Sequence, residues 1–313
     1  MEVVKDHPDL PAAHRFPLPN GNLNTLLPHI VRRFSPLSET ASLDAQVLAA
    51  KLLGVPRSWL LAHPEARLTD RQQQALALAV QRVEAGEALP YVLGTWEFFG
   101  LEFTVTPEVL IPRPETELLV EQALLWLKDH PNRRRIADIG TGSGCIAVTL
   151  AVKIPELLVT AGDISAAALE VARKNAELHG VARRVRFVRS DLLAQFGPEE
   201  PPPAGRVFDL LCANLPYIPS RTLTALEVSR KEPYLALDGG QDGLVLVKRL
   251  FSQLKAQPGW MADGGRILLE VEAGQGAAAR SLARRLFPRA EIQVLPDLAG
   301  RDRLLMIDLP DRE

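Results

Sequence analysis

The sequence predicts an α/β protein: a doubly wound, mostly parallel sheet with an antiparallel C-terminal strand, preceded by a small helical domain. Three observations carry that expectation. From about residue 135 short apolar runs alternate with helical patterns, the signature of successive β-α-β units. The run Val207-Phe208-Asp209-Leu210-Leu211-Cys212-Ala213 is almost continuously apolar, as a central parallel strand covered on both faces requires. Between residues 24 and 86, by contrast, the period is helical.

In order along the chain, residues 1–22 are rich in proline and polar groups and read as a flexible arm. The helical segment, 23–88, carries Leu43, Val47, Leu48, Leu52 and Leu53 at helical spacing, with Gly54 and Pro56 as a stop. Thr69 and Gln72 match a capping box ahead of a helix with Leu76, Ala79, Val80 and Val83. Residues 89–112 change period: 96–105 read as a β-hairpin turning near Gly100, expected to link the two domains. Pro114 then suits the first turn of a helix bearing Leu118, Leu119, Ala123 and Leu125. The C-terminal domain, 113–313, ends in two apolar runs, 291–295 and 303–309, read as an antiparallel pair. The proline-rich stretch 198–205 reads as a plain connection.

Composition narrows the class. The chain of 313 residues has a formal net charge of -2, so no global basic field recruits nucleic acid. Its two cysteines, Cys145 and Cys212, fall in apolar elements and read as buried thiols of a reducing compartment. The six histidines show no metal-ligand spacing, so no metal is expected. No apolar run approaches the ~20 residues of a membrane span, and the N-terminus lacks the pattern of a signal peptide. A cytoplasmic protein is expected.

The chemistry collects at strand ends, where open parallel sheets bind ligands. The strand ending in Asp138 runs into Gly140-Thr141-Gly142-Ser143-Gly144, and a helix opens at Cys145. Glycines let backbone approach a ligand, and a helix N-terminus offers free N–H groups. The third glycine comes one residue too early for a dinucleotide fingerprint, so the loop suits a ribose with an amino-acid tail better than a pyrophosphate. Asp163, about 20 residues on, ends the next strand where a carboxylate can take ribose hydroxyls, with Ile164 beside it. Asp191 and Leu192 end a third strand and suit the amino group and face of an adenine.

Asn214-Leu215-Pro216-Tyr217 ends the central strand. Asn214 Oδ1 and the carbonyl of Leu215 or Pro216 can each accept an N–H from one flat target group, while Tyr217 could stack on it. Such a set serves attack by a poor nitrogen nucleophile. A side-chain amide and the N6 amino group of a flipped adenine both qualify, and a non-catalytic cofactor-binding scaffold is the reading outside enzymes.

Taken together, the glycine loop, Asp163, Asp191 and residues 214–217 resemble a class I S-adenosylmethionine-dependent methyltransferase. More narrowly, the chain resembles the HemK/PrmC family, on Leu110-Ile111-Pro112-Arg113-Pro114-Glu115-Thr116-Glu117, residues 138–144 and residues 214–217. Glu232-Pro233 with Ala236-Leu237, residues 239–243 and Asp297-Leu298-Ala299-Gly300-Arg301-Asp302-Arg303 extend the match across about residues 40–309. One departure stands out: Leu215 occupies a place where the family usually has proline, and Asn-Leu-Pro-Tyr is similar to the motif of ribosomal RNA adenine dimethyltransferases.

The resemblance implies a Rossmann-like methyltransferase domain that transfers a methyl group from S-adenosylmethionine to the N5 amide nitrogen of a glutamine in a peptide chain release factor, releasing S-adenosylhomocysteine. It implies a release-factor-docking role for the helical domain, and neither membrane nor direct nucleic-acid binding. Cofactor residues are expected at Asp138, Gly140, Thr141, Gly142, Ser143, Gly144, Asp163, Ile164, Asp191, Leu192 and Asn214. Catalytic roles are expected for Asn214, Pro216 and Tyr217, with Leu215, Arg113 and Glu115 as further substrate contacts.

Overall fold

The computed structural model describes residues 18–19, 21–196 and 208–311, divided into two units at Gly94. Most of the arm at 1–22 and the whole 198–205 connection lie outside the described residues.

The first unit is helical: α1 (Leu23–Phe34), α2 (Ala41–Leu53), α3 (Arg57–Ala62), α4 (Asp70–Glu84) and α5 (Leu89–Leu93). Asn22 caps α1 through its side chain, and α4 opens on the expected capping box, with Thr69 and Gln72 satisfying each other's backbone N–H. The core is built from Leu23, Leu26, Ile30 and Phe34 of α1, with Leu48, Leu60, Leu76 and Val80. Two details differ from the sequence reading. Leu18, placed in the arm, is buried in this core. In α2 the inward stripe is Ala41, Ala45, Leu48 and Ala49, whereas Leu43 and Leu52 are exposed. Alanines with no side chain beyond Cβ let α1 and α2 approach closely, and that decided which face turned in.

The second unit begins with a hairpin, β1 (Thr95–Phe98) and β2 (Leu101–Thr104). Its two-residue turn, Phe99-Gly100, has both φ angles positive, as the strand twist demands. The hairpin is anchored within this unit. Phe98 and Phe103 sit in the same cluster as Trp126 and Ile136, and the Asn175 side chain donates to the Thr104 carbonyl (3.0 Å) and accepts from its N–H (2.7 Å).

Then follow α6 (Glu117–Asp129), β3 (Arg135–Ile139), α7 (Cys145–Lys153), β4 (Leu158–Asp163), α8 (Ala166–Leu178), β5 (Val185–Arg189) and β6 (Phe208–Ala213). After β6 come two single-turn helices, α9 (Ser220–Leu223) and α10 (Val228–Lys231), then α11 (Val245–Ala256), β7 (Met261–Glu270), α12 (Gly276–Leu286), β8 (Glu291–Pro296) and β9 (Asp302–Asp308). The seven strands order as β5-β4-β3-β6-β7-β9-β8; the first five run parallel and β9 is antiparallel to both its neighbours.

Alternation along the central strands fills both faces. Leu211, Ala213, Ile267 and Leu269 pack with α11 and α12, whereas Leu210, Cys212 and Leu268 pack with α6 and α7. The chain winds from β3 outward through β4 to β5, then returns to place β6 on the other side of β3. Such a reversal opens a crevice beyond the strand ends. Among the described residues no helix is long and apolar enough to cross a membrane.

Candidate active site

That crevice holds a cavity of about 370 Å³, within the range of small-molecule sites. Its walls come from the loops after β3, β4, β5 and β6 and from the segment before α6.

On the glycine loop, Gly140, Gly142 and Gly144 all take positive φ, which lets the chain reverse tightly and expose its backbone. A Cβ at Gly142 would meet nothing, so the loop's face is open there. At Gly144 it would lie 3.1 Å from Ala172 Cβ, so that glycine serves the packing of α7 on α8. Asp138 lies beneath the loop and is fully buried. Its Oδ2 accepts from Thr141 Oγ1 (2.6 Å) and Ala147 N (3.3 Å), while Oδ1 has no partner among the described residues. Burial pushes its carboxyl up to about 7. Asp138 shapes the loop from behind and does not line the cavity.

Asp163 does line it. Oδ2 accepts from Gly142 N and Oδ1 from Ser165 N, both at 2.9 Å, so one carboxylate ties the glycine loop to the start of α8. Its second lone pairs remain for hydroxyls. Ile164 and Leu192 supply apolar wall, the latter at φ 55, an unusual conformation for leucine. Asp191 pairs with Arg249 at 2.5 Å on the rim. Open glycine backbone, two carboxylates at neighbouring strand ends and flanking apolar side chains fit an adenosine bearing an amino-acid tail.

Across the cavity stand Asn214, Leu215 and Pro216. Asn214 Nδ2 donates to Thr116 Oγ1 at 2.9 Å, and Thr116 donates in turn to Glu270 Oε2 at 2.6 Å. Neither Asn214 Oδ1 nor the Pro216 carbonyl takes a hydrogen bond from the described residues. Leu215 is buried in the core, and its Cδ2 lies 3.1 Å from where a Cβ on Gly140 would be.

Besides Asp138 and Gly144, two expected contacts fall outside the cavity lining, Tyr217 and Glu115. Tyr217 is half-buried and held by its backbone: its carbonyl accepts from Gln275 Nε2 at 2.8 Å, and the next residue, Ile218, bridges to Asp238. Burial, then the charge of Glu270, push the phenol up, so it stays neutral. Glu115 is exposed in the single turn of 3-10 helix, Pro114–Thr116, ahead of α6. Its neighbour Arg113 does line the cavity, paired with buried Glu232, which also accepts from Ile111 N at 3.1 Å. Cys145, expected to be buried, is half-buried and lines the cavity, its thiol pushed up to about 12 by burial.

Thr116, Glu232, Glu270 and Gln275 had no role assigned from sequence. The first two lie inside segments already singled out, and Glu270 ends β7. That was the available signal.

The comparisons agree in kind with this geometry. A family model described as the PrmC N-terminal domain matches residues 25–94, and one described as the methyltransferase small domain matches residues 115–218. The release factor glutamine methyltransferase of Moorella thermoacetica is 43% identical over 269 residues, covering 86% of this chain and 91% of that one. Its counterpart from Chlorobaculum tepidum is 39% identical, covering 83% and 88%. Among solved structures, the protein-(glutamine-N5) methyltransferase (release factor-specific) from Alicyclobacillus acidocaldarius is 30% identical, covers 66% of this chain and 99% of that chain, and has a TM-score of 0.40. At such identity over nearly the full length of its relatives, the chain belongs to the HemK/PrmC family of release factor glutamine methyltransferases, class I S-adenosylmethionine-dependent enzymes.

Proposed function

We propose that this protein methylates the N5 side-chain amide nitrogen of a glutamine in a peptide chain release factor, in the cytoplasm, and so modulates translation termination. One observation carries the reading: Asn214 and Pro216 line the same cavity, and neither Asn214 Oδ1 nor the Pro216 carbonyl takes a hydrogen bond from the described residues. An amide nitrogen is a weak nucleophile because its lone pair is delocalised into the carbonyl. Accepting both of its N–H groups aims the nitrogen and favours the positive charge it gains.

When bound, S-adenosylmethionine supplies an electrophilic methyl carbon and departs as S-adenosylhomocysteine. Gly140, Thr141, Gly142 and Ser143 cradle its amino-acid tail, Asp163 takes the ribose, and Asp191, Ile164 and Leu192 hold the adenine. Asp138 and Gly144 support that cradle from behind. Arg113, locked to Glu232, borders the acceptor side with Leu215. Tyr217 keeps a neutral phenol beside Glu270. The neutral thiol of Cys145 does not compete as a nucleophile. The methylated nitrogen, now strongly acidic, gives its proton to water. The helical unit docks the release factor.

The test is methyl transfer from labelled S-adenosylmethionine with purified release factor and ribosomal RNA offered side by side. Label in the factor, lost when its acceptor glutamine is replaced, is the expected result. Label in RNA alone would move the assignment to adenine N6 chemistry. No label with cofactor still bound would leave a scaffold.

A further inference from the structure

The hydrogen-bond chain behind Asn214 has a direction. A threonine hydroxyl owns one proton and can donate once. Thr116 is buried, and so is Glu270, at 2% and 3% exposure, so neither turns to water for another partner. We propose that Thr116 and Glu270 are positioning residues that fix which end of the Asn214 amide faces the acceptor nitrogen. Ionised Glu270 claims the Thr116 proton, so the Thr116 oxygen can only accept, and it accepts from Asn214 Nδ2. Rotating that amide by half a turn would set its oxygen against the Thr116 lone pairs and turn an N–H toward the acceptor's own N–H. The relay thus excludes the unproductive orientation. It rests on the reading that Asn214 Oδ1 receives the acceptor N–H.

The polarity depends on the charge of Glu270. Facing it are Arg303 on β9, which favours the carboxylate; Glu115, which opposes it; Tyr217 after β6; and Cys145 on α7. Burial outweighs the Thr116 bond, Arg303 and the Tyr217 phenol, all of which favour the carboxylate, and raises the carboxyl to about 7. Once protonated, Glu270 can donate to Thr116, which frees the hydroxyl proton for Asn214 Oδ1. Both amide orientations are then allowed, and the productive fraction falls. Activity should therefore decline as pH falls through about 7.

The experiment uses full-length protein with Thr116→Val, Thr116→Ser and Glu270→Gln. Thr116→Val keeps the shape and loses the relay. It is expected to lower kcat on release factor by about 100-fold, with cofactor Kd within about 2-fold. Thr116→Ser restores most of the rate. The wild type shows an acid limb near 7 that Glu270→Gln lacks. A wild-type rate for Thr116→Val, equal losses of rate and cofactor affinity, or an acid limb surviving in Glu270→Gln would each overturn the proposal. The last result would hand the limb to Asp138, which titrates in the same range.

A second readout needs no turnover. In 15N-labelled protein the Asn214 side-chain amide resonances, identified by their loss in Asn214→Ala, should titrate near 7 in the wild type and not in Glu270→Gln. Titration in neither protein would refute the relay. If the wild type leaves release factor unlabelled, the functional reading fails, and these resonances still decide the relay.

Discussion

The helical unit and the sheet unit bury different things. Tyr91 apart, every buried polar or charged side chain among the described residues lies beyond Gly94, from Thr116 and Asp138 to Glu270 and Gln275. The helical unit buries leucine, alanine, isoleucine and phenylalanine, while Leu43, Trp59, Leu61 and Leu78 stay exposed. Burying a polar group is costly unless it is bonded, so it is tolerated where it organises something. In the sheet unit those groups gather behind the strand ends: Asp138 under the glycine loop, Glu232 under Arg113, and Thr116 with Glu270 behind Asn214. One unit holds chemistry in place, and the other presents surface.

The largest expected effect concerns the apolar half of that contrast. Phe34 is fully buried in the helical core, so Phe34→Ala should cost about 3–5 kcal/mol in urea denaturation. A loss below about 1 kcal/mol would mean that packing is not what holds this unit. Next comes Asn214→Ala, expected to reduce kcat by about 100- to 1,000-fold while cofactor Kd and melting temperature stay close to wild type. Matched losses of rate and affinity would make Asn214 a cofactor residue only.

A smaller effect separates the units by pH. Asp138 and Glu270 titrate near 7 when folded, well above the ordinary carboxylate range, because burial disfavours their charge. The folded protein then holds protons that the unfolded chain releases near pH 4. Stability is fully present below that and is lost as pH rises through about 7. Asp138→Asn should flatten this decline across the window. Parallel stability curves for variant and wild type would contradict the shift.

The smallest effect belongs to the exposed leucines. Leu61→Gln with Leu78→Gln should move stability by no more than about 0.5 kcal/mol, yet raise KM for intact release factor and leave kcat on a short glutamine peptide unchanged. An unaltered KM would take the docking role away from these two leucines.

Much of this was legible because it is local. A capping box, a glycine loop between strand and helix, and an apolar run stopped by Asn214 are written in a few adjacent residues. What local pattern could not carry was facing and partnership. In α2 the leucine spacing was helical, but alanines took the inner face because the neighbouring helix needed the space. Tyr217 follows Pro216 directly, yet Gln275, 58 positions away, holds its carbonyl, and the ring falls outside the cavity lining. The Thr116–Glu270 bond spans 154 positions, with neither residue conspicuous by itself. Such pairs exist only once the sheet has assembled.

Leu215 gives the position between Asn214 and Pro216 a mechanical meaning. Its side chain fills the gap under Gly140, so it acts as a shim whose thickness sets the separation between the cradle and the acceptor edge. A chain with a thinner residue there must bring the two loops closer or fill the gap from elsewhere. Because the positive φ of Gly140 leaves no freedom at that position, residue 215 is the one to vary when such an enzyme is retuned toward a larger or smaller acceptor.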